Sequence, residues 1–200
     1  ALKVYHRRGR AERERLLVEA RMPARLEHPG IVRIFDLEES LAAIAMERVL
    51  GGSVRHELRK GALGIDRVQR WFQTAAEALA HVHERGVVHR DVKPSNMLLR
   101  RDDRVVLTDF GVACELERPS GQAGTGGEGT LAYMPPEQRK GAPAHPSMDL
   151  YALGVALREV LEQASGDPPA LMNECAAACL RTDPRQRPNA AWVAEQLEGR

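Results

Sequence analysis

Two dense polar stretches, each set at the end of a short apolar run, constrain this chain more than any other feature. His89-Arg90-Asp91-Val92-Lys93-Pro94-Ser95-Asn96 gathers a carboxylate, an ammonium and a carboxamide after a helical pattern and just before the strand-like run Met97–Leu99. Thr108-Asp109-Phe110-Gly111 follows the strand-like run Val105–Leu107, adding a second carboxylate and then a glycine, where the chain can turn without a Cβ penalty. Phosphoryl transfer from a nucleotide needs such groups. A carboxylate orients the attacking hydroxyl and accepts its proton, a cation neutralises the transferring phosphate, and oxygen donors hold Mg²⁺.

In this order and at this separation, H-R-D-x-K-P-x-N followed by D-F-G resembles the catalytic and metal-binding loops of eukaryotic-like, bacterial-type serine/threonine protein kinases. The resemblance implies an α+β, two-lobed protein-kinase fold in a single domain over residues 1–200. Residues 1–50 would form a partial N-lobe, a truncated sheet with helix αC, and residues 51–200 a mainly α-helical C-lobe. It also implies ATP- and Mg²⁺-dependent phosphorylation of Ser or Thr hydroxyls on proteins, including autophosphorylation. Asp91 would then be the base and Lys93 the cation on the transferring phosphate, with Asn96 and Asp109 as Mg²⁺ ligands. His89 and Phe110 would pack rather than react, and Leu98 would lie under the adenine.

Residues 1–5 alternate like a strand with Lys3 at the centre; by resemblance Lys3 holds the α- and β-phosphates. Family members carry about two strands and a Gly-rich loop before this lysine. The sequence from Ala1 on holds neither, as expected of a piece of a longer chain or of a degenerate protein. Residues 10–26 predict an amphipathic helix with Leu16, Leu17, Ala20 and Ala24 inward, on which Glu19 matches the αC glutamate that pairs with the lysine. Pro23 removes the helical partner of the Glu19 carbonyl and predicts a kink costing about 3 kcal/mol if interior, which works against that pairing.

Residues 31–35 and 41–46 predict two strands joined at 38–40. By resemblance Met46 gates the adenine pocket, and Glu47 to Val49 form the hinge facing the adenine edge; without it, Met46 reads as core filler. Gly51-Gly52-Ser53 marks a crossing, with Ser53 capping a short helix to about residue 59. Residues 66–85 predict a buried scaffold helix through Val68, Trp71, Phe72, Ala75, Leu79 and Val82. His81 and His83, two apart on it, do not share the face a metal pair needs.

Residues 114–129 are rich in glycine and polar groups, which predicts mobility. By resemblance they are the activation segment, with Thr125 and then Ser120 as phosphorylation sites whose phosphate Arg90 would order. The run from Gly129 to Glu137 resembles G-T-x-x-Y-M-x-P-E, the platform for a peptide substrate, with Thr130 bonded to the catalytic Asp and Lys. Glu137 and Arg187 match a buried ion pair, and Asp149, ahead of an apolar helix over 150–161, matches the aspartate that braces the catalytic loop. The spacing after Leu161 leaves out the docking helix αG. Helices are predicted at 170–180, with Cys175 and Cys179 as core, and at 190–197.

Composition sets the bounds. Two hundred residues, 43% hydrophobic and 28% charged, suit one globular domain. A net charge of +1 gives no reason to expect nucleic acid or an anionic membrane as partner. Three cysteines without a C-x-x-C pair argue against disulfides and zinc, and the absence of a signal core or membrane-length apolar run predicts a cytoplasmic protein. The expected partners are ATP, a protein bearing Ser or Thr, and a second copy of the chain as a homodimer in autophosphorylation. Two other readings stay open. One is a pseudokinase or interaction module of little turnover, prompted by the missing Gly-rich loop and αG and by Pro23. The other is a small-molecule phosphotransferase, which gives no reason for Lys93-Pro94 or the platform.

Overall fold

The computed structural model describes residues 1–4, 10–61, 63–115 and 131–198. Strand alternation makes β1 (Leu2–Val4), which exposes Leu2 and Val4 and leaves Lys3 half-buried on the opposite face. β1 pairs Lys3 with Ile44 at the edge of a three-stranded antiparallel sheet, whose other strands are described below. α1 (Arg10–Ala24) packs on that sheet through Leu16 and Ala20. Ala24, expected inward, is exposed, and Met22 and Pro23 are buried instead. Because Pro23 is the next-to-last helical residue, the bond it cannot donate falls in the final turn. There Arg25 N donates to Met22 O (3.2 Å) and Leu26 N to Pro23 O (2.9 Å), closing the helix with shorter-range bonds.

β2 (Ile34–Glu38) and β3 (Ala43–Met46) complete the sheet in the order β1-β3-β2, and both start later than the sequence pattern predicts. Ile31 and Val32 are buried, but their backbone bonds go elsewhere: Val32 N donates to Leu107 O (2.9 Å), and Ile31 bridges Leu107. These residues fasten the sheet to the rest of the chain and do not extend β2. At the other strand, a left-handed Ala42 (φ 49°) closes the turn and leaves β3 to begin at Ala43.

α2 (Val54–Leu58) starts at Ser53, whose Oγ accepts from His56 N (3.2 Å) as the cap predicted. β4 (Leu63–Gly64) leads into α3 (Ile65–Glu84), which buries the expected face completely; Trp71 Nε1 satisfies itself on Asp103 Oδ1 (3.1 Å). Gly86, at φ +69°, stops the helix. β5 (Val87–Val88) pairs antiparallel with β8 (Cys114–Glu115), and between them β6 (Met97–Leu99) and β7 (Val105–Leu107) form a second antiparallel pair. Cys114 therefore opens a strand where the composition predicts a mobile loop. Ser120, Thr125 and Thr130 lie outside the described residues.

The rest is helical. α4 (Pro136–Arg139) precedes α5 (Ser147–Leu161), then β9 (Ala164–Ser165), parallel to β4, leads to α6 (Ala170–Cys179). A 3-10 turn (Pro184–Gln186) and α7 (Ala190–Gln196) end the described chain. No helix stands between α5 and α6, as the spacing predicts. Gly154 sets how closely these two approach, since a Cβ there would lie 2.7 Å from Cys179 Cβ. Burial pushes the Cys175 and Cys179 thiols up to about 11 and about 12, which makes them packing groups at neutral pH.

Two apolar clusters result, the larger built on α3, α5, α6 and α7, the smaller on α1, the three-stranded sheet and Val106. β6 and β7 alternate between them. Met97, Leu99, Val105 and Leu107 belong to the larger cluster, whereas Leu98 and Val106 face the smaller. The polar stretches at the ends of these two strands therefore emerge where the clusters meet. No helix among the described residues is long and apolar enough to cross a membrane.

Candidate active site

Lys3 and Glu19 meet as the sequence motifs suggest, despite Pro23. Lys3 Nζ donates to Glu19 Oε1 at 2.5 Å, and Glu19 is only 3% exposed. Burial raises the Glu19 carboxyl above its ordinary value; Lys3 opposes that rise and Asp109 adds to it. Asp109 Oδ1 lies 3.5 Å from Lys3 Nζ. A Cβ placed on Gly111 would touch both Glu19 Oε2 (3.3 Å) and Asp109 Oδ1 (3.4 Å), so the two carboxylates crowd the same glycine. Asp109 itself sits at φ 65°, a strained position for a residue with a Cβ and one that recurs at functional sites.

The loop between β5 and β6 is held from beneath. Asp149, fully buried at the start of α5, accepts from His89 N (2.8 Å), from Arg90 N (2.7 Å) and from His83 Nε2 (2.8 Å). Burial would raise this carboxyl, but the donors around it more than offset that and hold it below the ordinary carboxylate value. His89 Nδ1 accepts from Asp91 N (3.3 Å), which leaves Nε2 to carry the proton toward Thr108 O (3.1 Å). Its ring packs on Phe110 at 4.4 Å between centroids, both side chains being fully buried. This pair locks the two polar stretches together. Thr108 N also donates to Asn96 O (3.0 Å), which places Asp109 next to Asn96 across the strand ends.

Within the loop, Lys93 Nζ donates to both Asp91 oxygens (2.7 and 2.9 Å), and Asn96 Nδ2 to Asp91 Oδ2 and Asp91 O (2.9 Å each). Arg90 sits at φ 66°. Its Nε is buried with no hydrogen-bond partner among the described residues, and its guanidinium reaches Cys114. Leu98 and Val49 pack with Met46 in the smaller apolar cluster. Glu47 N donates to Arg33 O (2.8 Å), and its carboxylate is held by Arg100. The crossing is pressed against β6: Gly51 N donates to Leu99 O (2.9 Å), and a Cβ on Gly51 would lie 2.4 Å from that oxygen.

Glu137 and Arg187 form the expected pair at 2.5 Å, with the Arg187 side chain fully buried and donating also to Ser147 O (3.0 Å) and Arg181 O (2.9 Å). Several contacts escaped the sequence reading. His83, read as scaffold, supports Asp149 from α3; Gln138 Nε2 donates to Arg90 O (3.2 Å); and Arg55, Tyr133 and Glu159 bond one another. Only the i+2 offset of His83 from His81 hinted that the two histidines serve different neighbours.

The donor set fits a hard cation. Asn96 and Asp109 offer amide and carboxylate oxygens, and no group of three or more His, Cys, Asp or Glu side chains gathers among the described residues. Mg²⁺ suits one or two protein oxygens supplemented by phosphate and water better than a closed protein cage.

A family model described as protein kinase domain matches residues 1–169. The serine/threonine-protein kinase PknJ of Mycobacterium tuberculosis is 38% identical over 175 residues, which cover 84% of this chain and 29% of PknJ. PrkC of Bacillus subtilis is 35% identical over 146 residues, 72% of this chain and 22% of PrkC. The kinase pkn2 of Myxococcus xanthus is 37% identical over 173 residues, 80% of this chain and 21% of that protein. The chain thus spans less than a third of the length of each of these relatives.

Proposed function

We propose, since this chain belongs to the protein kinase family, that its site transfers phosphate from ATP, with Mg²⁺, to Ser and Thr hydroxyls of protein substrates. The observation that carries the reading is one convergence. Lys3, paired to Glu19, stands beside Asp109, while Asp91, Lys93 and Asn96 bond one another in the loop fastened to Asp109 through Thr108 and Asn96. In a family of this chemistry the protein contributes mainly position and charge.

In this reading Lys3 holds phosphate oxygens, and Glu19 keeps its ammonium from collapsing onto Asp109. Asp91 accepts the proton as the substrate hydroxyl oxygen attacks phosphorus, and Lys93 balances the charge that moves onto the transferred group. Asn96 and Asp109 are the residues that would hold Mg²⁺, which when bound neutralises the phosphate oxygens. Met46, Val49 and Leu98 supply an apolar floor for the base, with residues 1–50 as the small lobe and residues 51–200 as the large one. Arg90 is the group to which a phosphate on Thr125 or Ser120 would bind, and Thr130 would tie the platform to Asp91 and Lys93.

The test is ATP-dependent phosphate transfer to a generic basic protein and to the chain itself, with Asp109→Ala as control. Transfer equal in wild type and control removes the enzyme reading. Peptide mapping after incubation with Mg·ATP is expected to place phosphate at Thr125, at a rate that rises with protein concentration if one copy phosphorylates another.

A further inference from the structure

Three polar side chains from separate elements meet beside the site and take no part in the chemistry above. Arg55, on α2, donates to Glu159 Oε1 (2.5 Å) through Nη1, and through Nη2 to Glu159 Oε2 (3.1 Å) and the Tyr133 oxygen. Tyr133 donates its own proton to Glu159 Oε2 (2.5 Å). Burial, aided by the Glu159 carboxylate, pushes the Tyr133 phenol up to about 12, so it keeps that proton at any working pH.

Arg55 reaches further through its backbone, where its N–H donates to Pro94 O (3.0 Å), next to Lys93. One residue therefore touches the loop that carries Asp91, the run 131–135, and α5. The far side of that run is pinned as well: Arg139 Nε donates to Met134 O (3.1 Å), and its Nη2 to Leu131 O. Leu131 stays 45% exposed, so the run presents an apolar side chain to solvent while Arg139 holds its backbone and Arg55 and Glu159 hold its Tyr133 side chain.

The Arg55 and Glu159 side chains are themselves 31% and 26% exposed, and a pair that near the surface contributes little to stability. What a planar fork closed on a carboxylate does fix is orientation. We infer that Arg55 is a positioning residue for the protein substrate. Its guanidinium sets the run 131–135 relative to Asp91 and Lys93, and so decides how tightly the acceptor segment is held, without touching the nucleotide. The inference rests on the kinase reading, which makes 129–137 the peptide platform.

Steady-state kinetics of the full chain with a Ser-bearing basic peptide and ATP decide it. In Arg55→Leu the peptide KM is expected to rise about tenfold, a change of about 1.4 kcal/mol and within what one charge-assisted bond supplies, while the KM for ATP stays put. Arg55→Lys should not restore it, because an ammonium lacks the fork, whereas added methylguanidinium should draw the Arg55→Leu peptide KM back down. Tyr133→Phe combined with Arg55→Leu should cost little beyond Arg55→Leu alone. A peptide KM within twofold of wild type, or a parallel rise in both KM values, overturns the inference while leaving the kinase reading standing. Wild-type transfer no greater than that of Asp109→Ala overturns both.

Discussion

Replacing Asp149 by Asn keeps shape and volume and removes only charge and one acceptor, so its effect can be worked from the three bonds the carboxylate accepts. The amide oxygen can still take Arg90 N, but the new NH₂ then faces His89 N, a donor against a donor, in a fully buried position. An unsatisfied buried N–H costs about 1–3 kcal/mol, and loss of charge assistance on the surviving bonds adds roughly 1 kcal/mol. Part is recovered if Arg90 relaxes from φ 66°, since such strain is worth of order 1–3 kcal/mol. A net loss of about 2 kcal/mol is expected, which at a urea m-value of about 2 kcal/mol/M moves the midpoint down by about 1 M. The pH dependence gives a second check. The Asp149 carboxyl is held below its ordinary value of 3.8, so its contribution is complete above that value and is lost as pH falls through the lower, folded value. Asn does not titrate there. The gap between wild type and Asp149→Asn should therefore be widest at neutral pH and narrow only below about pH 4. A midpoint within about 0.3 M of wild type at neutral pH would refute the reasoning, since it would mean that the loop does not depend on this carboxylate.

Glu19 is the opposite case. Its folded value is raised, so it binds more protons folded than unfolded across the interval between the two values, and stability should fall as pH rises through that interval. Glu19→Gln should flatten that slope in urea titrations and sharply reduce phosphate transfer at neutral pH through loss of the Lys3 pair. Glu137→Ala leaves the buried Arg187 guanidinium uncompensated and should cost about 3–5 kcal/mol in denaturant unfolding, where Arg185→Ala, on an exposed pair, should cost under about 1 kcal/mol. Gly154→Ala forces a Cβ to within 2.7 Å of Cys179 Cβ and 3.2 Å of Ala176 O, and overpacking of this kind costs about 1–3 kcal/mol. Calorimetry should show the melting temperature lowered by about 2–4 °C per kcal/mol.

The clustering of the candidate site was legible in the sequence because it is local. Asp91, Lys93 and Asn96 share one loop, Asp109 follows one strand, and α3 announces itself through a continuous helical period. What stayed hidden depends on partners that period cannot name. Ile31 and Val32 alternate as strand residues do, yet their bonds go to β7 and not to β3, and alternation reads the same for either neighbour. Pro23 reads as a break because its cost depends on how far the helix continues, and α1 ends one residue later. His83 meets Asp149 across 66 residues, and Arg55 meets Glu159 across 104. No window of local sequence contains both partners of either pair.

Those two hidden pairs share an element, and that ties stability to the site. Asp149 opens α5 and holds the loop bearing Asp91; Glu159, about 15 Å further along the same helix, holds Arg55 and Tyr133. α5 thus fixes both the loop between β5 and β6 and the run 131–135, and its own position is set by burial against α3 and α6, with Gly154 at the close approach to α6. A shift of α5 would carry Asp149 and Glu159 together, so the two loops should be misplaced in concert. Gly154→Ala is therefore expected to lower phosphate transfer at a temperature where the variant is still folded, although Gly154 touches neither loop. Transfer that stays at the wild-type level up to the onset of melting would show that the loops keep their places without α5 as a fixed support.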